Sequence, residues 1–204
     1  MSQLKLTADS GGGTVAIKGP ASTAGNAAIE LTVPGTGSST LATTATAGKI
    51  IQVVSTTKTD TFSESVSSGG VSGTAISLNF TATSTSNKLL IMSNLMLGHS
   101  HGTERVGAIL YAGGSVLTGA VGDANGSNTR ISTGGFNDQD NSYDCVAHSH
   151  LFTPASTNQI TYEYRLHNGR GATGTVYLNR QSLSDSGNYI GRGTSTITIM
   201  EVSA

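Results

Sequence analysis

The sequence predicts an all-β protein: a jelly-roll-like antiparallel β-sandwich preceded by a short three-strand amino-terminal segment. Three observations point there. Ser, Thr and Gly number 27, 29 and 27 of the 204 residues, about 41%, and all three are poor helix formers. Apolar residues recur at every second position in segment after segment, the period of a half-buried strand. Turn-forming clusters separate about ten such segments at sandwich or barrel spacing. Threonine suits these strands because β-branching favours the pleated conformation.

The first element is residues 1–34. Leu4 and Leu6, Val15 and Ile17, then Ile29, Leu31 and Val33 mark three short alternating runs separated by glycine. A segment this short cannot bury enough surface to stand alone, so it is expected to dock on something. Residues 35–48, GTGSSTLATTATAG, are nearly all small or polar and read as a linker. The main domain, 49–204, opens with IIQVV at Ile50 to Val54, apolar on both faces. In TAISLNFT, Ile76, Leu78 and Phe80 oppose Ser77, Asn79 and Thr81. LLIMSNLML, Leu89 to Leu97, is again apolar on both faces. Strands of that kind belong inside, covered on both sides by another sheet or a neighbouring subunit. In CVAHSHLF, Val146, His148, His150 and Phe152 share one face. Ile160, Tyr162, Tyr164 and Leu166 oppose Thr161, Glu163, Arg165 and His167, and Val176 and Leu178 alternate in TVYLN. A stretch of this length with this many strands closes into a two-sheet sandwich, for which jelly-roll topology is the expected closure.

Composition excludes several functions. A net charge of −1 lacks the electrostatic footprint of a nucleic-acid binder. No run approaches the ~18 apolar residues of a membrane span, and the amino terminus shows no secretory h-region. The single cysteine, Cys145, cannot close a disulfide within the chain. No G-x-S-x-G elbow, Walker lysine or H-E-x-x-H helix is present, and no carboxylate pair can be nominated, so no enzyme activity is expected.

The opening GGGTVAIKGPASTAGNAAIELTVPG, the continuation GKIIQVVSTTKTDTF, VGDANGSNTR and the closing TVYLNRQSLSDSGNYIGRGTSTITIMEV resemble segments of tail-fibre-like and other structural proteins of marine tailed bacteriophages. The resemblance spans nearly the whole chain. It implies a non-enzymatic virion protein, a homotrimer with a carboxy-terminal β-sandwich, made in the host cytoplasm and placed on the virion exterior. Residues 1–34 would contact other virion proteins, and the sandwich would meet a host-surface glycan or protein. Such fibres usually carry repetitive shafts, and this chain has none. A capsid decoration or head-fibre protein is therefore the close alternative, and a free carbohydrate-binding module a further one. Strands apolar on both faces and a self-insufficient amino-terminal segment also favour a core completed by copies of the chain.

Two identical triplets, His99-Ser100-His101 and His148-Ser149-His150, hold four of the five histidines. On a strand, i and i+2 share a face, so His99 with His101, or His148 with His150, could hold a transition metal, as H-x-H pairs at the trimer axis of phage fibres and spikes hold iron. Satisfied polar histidines are the alternative. The first triplet, framed by Gly98 and Gly102, reads as a loop. Between Gly122 and Cys145 a long irregular stretch carries Asp123, Asp138, Asp140, Tyr143 and Asp144, read as a contact loop. Asp123 to Ser127 resembles the opening of a calcium loop with Gly134 where the bidentate glutamate belongs, so the acidic loop could hold calcium, with solvated carboxylates as the default. Gly169 to Gly174 matches G-x-G-x-x-G, yet a strand follows it rather than a helix, and it reads as a hairpin loop.

Overall fold

The computed structural model describes residues 3–7, 14–18, 49–139, 142–183 and 191–204. The chain divides into two units, 1–44 and 45–204. In the first, β1 (Gln3–Thr7) and β2 (Thr14–Lys18) form an antiparallel hairpin with Leu4 opposite Ile17 and Leu6 opposite Val15. The third expected run, Ile29 to Val33, and the linker 35–48 lie outside the described residues.

The second unit comprises β3 (Ile50–Lys58), β4 (Phe62–Val66), β5 (Val71–Thr81), β6 (Lys88–His99), β7 (Glu104–Ala112), β8 (Ser115–Val116), β9 (Thr133–Asn137), β10 (Asp144–Phe152), β11 (Gln159–Asn168), β12 (Gly174–Leu178) and β13 (Ser195–Val202). Three pairs are single strands broken in the middle. β12 and β13 follow one another along the same edge of β6, with Leu178 opposite Leu97 and Thr196 opposite Asn94. β3 and β4 run along β13 and β12 in turn, and β8 and β9 both lie along β7. Counting each broken pair once gives eight strands among the described residues of this unit. In chain order they lie sixth, third, eighth, first in one sheet (β10, β6, β12/β13, β4/β3) and second, seventh, fourth, fifth in the other (β5, β11, β7, β8/β9). That is the jelly roll.

Alternation places the core where the sequence expects it. Leu89, Ile91, Leu95, Ile197 and Ile199 of the first sheet face Phe80, Tyr162, Tyr164, Leu166 and Leu110 of the second, all buried. The outer face of the second sheet also buries a charge. Glu163 accepts from the Thr74 hydroxyl at 2.6 Å and from Arg165 Nε at 2.8 Å, while the Arg165 guanidinium stacks 4.3 Å from the Tyr111 ring. At one end of the sandwich the buried Glu201 carboxylate accepts from Gln52 Nε2 (2.6 Å), Asn87 Nδ2 (2.7 Å), and the Thr83 hydroxyl (2.8 Å) and backbone N–H (2.9 Å). Although burial alone would raise its pKa, these donors overcome that and hold it down at about 2.

The break between β12 and β13 rests on Asn179. Its φ of 64° is left-handed, a region Asn tolerates better than most residues. The chain leaves the sheet there and rejoins it at Ser195. Asn179 Nδ2 donates to the carbonyls of Lys58 (2.8 Å) and Asp60 (2.9 Å), and its Oδ1 accepts from the Ser195 hydroxyl (2.6 Å). One buried side chain therefore joins both broken strands.

IIQVV forms an edge strand, β3; among the described residues no second sheet lies over its outer face, where Ile51 and Val53 are 43% and 52% exposed, so of the two expected covers a neighbouring subunit is the one left open. Two expectations are corrected. The glycine run 169–174 is no hairpin, because β11 and β12 lie in different sheets and the run crosses between them. It is held by Asn168, whose Nδ2 reaches the carbonyls of Val66, Ser67 and Ala172. His99 is not in a loop but ends β6 and is fully buried. Its glycine neighbours serve packing: a Cβ on Gly98 would sit 2.4 Å from the Arg180 carbonyl oxygen, and one on Gly174 would sit 2.6 Å from the His99 ring.

Candidate functional site

Strand registers put an uncharged surface on the outer face of the first sheet. Leu151 lies opposite Leu90, Leu90 opposite Met200, and Met200 opposite Val53, forming an apolar row across β10, β6, β13 and β3. The next rows are Ser149, Met92, Thr198, Ser55 and then Ala147, Asn94, Thr196, Thr57. None of these twelve outward positions is charged. Leu151 and Met92 are 56% and 37% exposed, so the face is open to solvent in the single chain. Farther along β6 the same face is closed. Met96 is buried, and a Cβ on Gly193 would lie 2.2 Å from its sulfur, so the chain returning to β13 covers it. Tyr177, which alternates with the inward Val176 and Leu178, faces away from the core and lies under Arg180, 4.7 Å from ring to guanidinium.

The histidine triplets are tied into the chain. His99 Nδ1 accepts from the His101 backbone N–H at 3.1 Å, which leaves its Nε2–H to donate to Asn168 Oδ1 at 3.1 Å. His101 is exposed, with Nδ1 2.8 Å from the Ser100 hydroxyl. His148 and His150 do share the inner face of β10, half-buried at the margin of the sandwich, their rings stacked 6.4 Å apart. The Tyr164 hydroxyl accepts from Ser93 at 2.9 Å and meets His148 Nδ1 at 2.8 Å. Burial pushes Tyr164 up to about 12, and burial followed by the neighbouring His150 pushes His148 down. Among the described residues no three His, Cys, Asp or Glu side chains converge.

The contact loop is dispersed. Asp123, Asp138 and Tyr143 are exposed, Asp144 begins β10, and Asp140 lies outside the described residues. Residues 133–137 of that stretch form β9 rather than loop. The apolar row was open to discovery from sequence, because β3 and β6 read as apolar on both faces. What the pattern could not supply was the register that lines them up. No helix among the described residues is long and apolar enough to cross a membrane.

No family model and no curated protein matches the chain. Among solved structures it is similar to infectious bursal disease virus T=1 particles (17% identity, TM-score 0.41, covering 84% of this chain and 41% of that one). It is also similar to the Gt strain of that virus (17%, 0.39, 85% and 43%) and to the Gx strain (17%, 0.39, 76% and 38%). The chain thus spans about two fifths of the length of these viral chains.

Proposed function

We propose that this chain is a non-enzymatic virion structural protein of a tailed phage. It acts as a trimeric short fibre or tail-fibre-type protein, anchored through residues 1–34 and exposing its jelly roll to the host surface. The observation that carries the reading is the uncharged three-row patch on the outer face of the first sheet, bounded by Lys88 beyond Leu90 and by Arg180 over Tyr177. Depletion of charge around an apolar centre is the compositional mark of a protein–protein interface core, whereas a sheet face that stays in water ordinarily alternates with polar and charged residues. A second copy of the chain is the partner that fits, since the face is flanked by two edge strands and the polar Ser and Thr rows supply an interface rim. Jelly rolls serve as capsid and lectin domains alike, so topology alone does not choose the role.

Quantitative mass spectrometry of purified virions tests the reading. It expects the chain in copies that are a multiple of three and number some tens at most. Hundreds of copies would replace the fibre by a capsid decoration protein. Absence from the particle would overturn the virion role and leave a free binding module.

A further inference from the structure

The outer face of the second sheet carries a cavity of about 460 Å3, distinct from both histidine triplets and from the apolar row. Its volume falls within the range of small-ligand pockets. Its floor is glycine: Gly107 pairs with His167 on one side and Gly134 on the other. A Cβ on Gly107 would lie 2.8 Å from Ile131, and one on Gly134 3.0 Å from it, so the glycines let the 128–131 segment lie close over the strands as one wall. The opposite wall is Phe136, 49% exposed, with the exposed Arg105 directly opposite in register and its guanidinium 5.9 Å from the ring. Asn128, Thr129 and His167 complete the lining.

The charge balance of this bowl is one-sided. No carboxylate among the described residues lines it. Glu104, next to Arg105, is bound to Arg170 at 3.1 Å, and Asp144 lies against the inward-facing side of Gly135, across the strand from the cavity. The Arg105 guanidinium has no acceptor among the described residues, and a guanidinium offers a planar fork matched to a carboxylate. An exposed ring beside it gives a flat apolar face, and Asn128 and Thr129 offer neutral hydrogen-bonding groups.

We infer that this bowl binds a carboxylate-bearing sugar, with the ring on Phe136, the carboxylate on Arg105 and the hydroxyls toward Asn128, Thr129 and His167. The inference gives chemistry to the host-surface contact in the proposed role and rests on that role only for its biology. Binding is measured on the protein alone, so its failure leaves the virion reading standing, and failure of the virion reading leaves the site standing.

The test is titration of isotope-labelled full-length protein with sodium glucuronate, glucose and an acetylated acidic tripeptide, followed by amide NMR. Glucuronate should shift amides of residues 105–107 and 128–136 in a saturable manner, with glucose at least roughly tenfold weaker for want of a charge-assisted contact. Arg105→Ala and Phe136→Ala should each weaken glucuronate binding by about tenfold or more. Both side chains are exposed, so the variants should keep the wild-type spectrum elsewhere. Three results overturn the inference: no response to glucuronate at tens of millimolar, an unchanged response in both variants, or a preference for the tripeptide over glucuronate.

Discussion

Replacing Val53 and Leu151 together by lysine should cripple self-association while leaving the fold intact. Both side chains point outward from edge strands and are more than half exposed, so the folded single chain should change by no more than about 0.5 kcal/mol. Burying a large aliphatic side chain fully contributes about 1.5–3 kcal/mol. With roughly half the surface still exposed at Ile51, Val53, Leu151 and Met92, covering each would add about 1 kcal/mol, or about 4 kcal/mol for the four. That corresponds to roughly a thousandfold in an association constant. The double substitution forfeits about half of this and forces two ammonium groups into a desolvated contact, so association should weaken about a hundredfold or more. Sedimentation velocity across a dilution series reads this directly, with urea unfolding as the control for the fold. An oligomer that survives the double substitution would place the contact elsewhere. A wild-type chain that stays a single subunit at every concentration would refute self-association altogether.

Other outcomes follow from the interior. Asn179→Ala removes three buried hydrogen bonds and sets alanine at a left-handed φ, and should cost about 3–5 kcal/mol in urea unfolding. Asn179→Gly incurs only the first of these penalties and should be about 1 kcal/mol milder, so equal effects would discount the backbone part. Gly98→Ala drives a methyl group into the Arg180 carbonyl and should lower stability by about 1–3 kcal/mol, measured as a shifted urea midpoint at constant slope. Acid should act in two stages. His148 and His167 are held below their ordinary 6.5 mainly by burial. The unfolded chain therefore takes up their protons first, and stability should decline as pH falls below about 6.5. Glu201, held at about 2 against an ordinary 4.5, contributes stability that is complete above about 4.5 and lost as pH falls toward 2. Thermal melts from pH 8 to 2 should show both declines. His148→Gln with His167→Gln should flatten the upper one and Glu201→Gln the lower; an unaltered profile in either variant would discount that group.

Much of the fold is legible because strand alternation is a local signal. Ile76, Leu78 and Phe80, or Tyr162, Tyr164 and Leu166, can face inward only if every second residue is apolar, and the jelly roll follows from how many such strands there are. What stays illegible depends on partners distant in the chain. The IIQVV run carries the same pattern whether a second sheet covers it or nothing does. Gly169 to Gly174 would look alike in a hairpin and in a crossover, since glycine reports a sharp path and not its destination. Gly98 and Gly102 suggest a loop around His99, yet Gly98 answers to Arg180, more than eighty residues later. The sugar-site residues share no sequence pattern either: Arg105, Phe136 and His167 sit on three strands and meet only through the pairings of β7 with β9 and β11.

The interrupted strand has an evolutionary corollary. Asn179 and Ser195 fasten the two sides of the gap to each other, and the described residues next to them pack back on the sheet, the Arg180 carbonyl against Gly98 and Gly193 against Met96. Lengthening a loop closed in this way costs little, growing only with the logarithm of its size. A lineage adapting to new surroundings can therefore add length between these anchors more cheaply than it can exchange the anchors themselves.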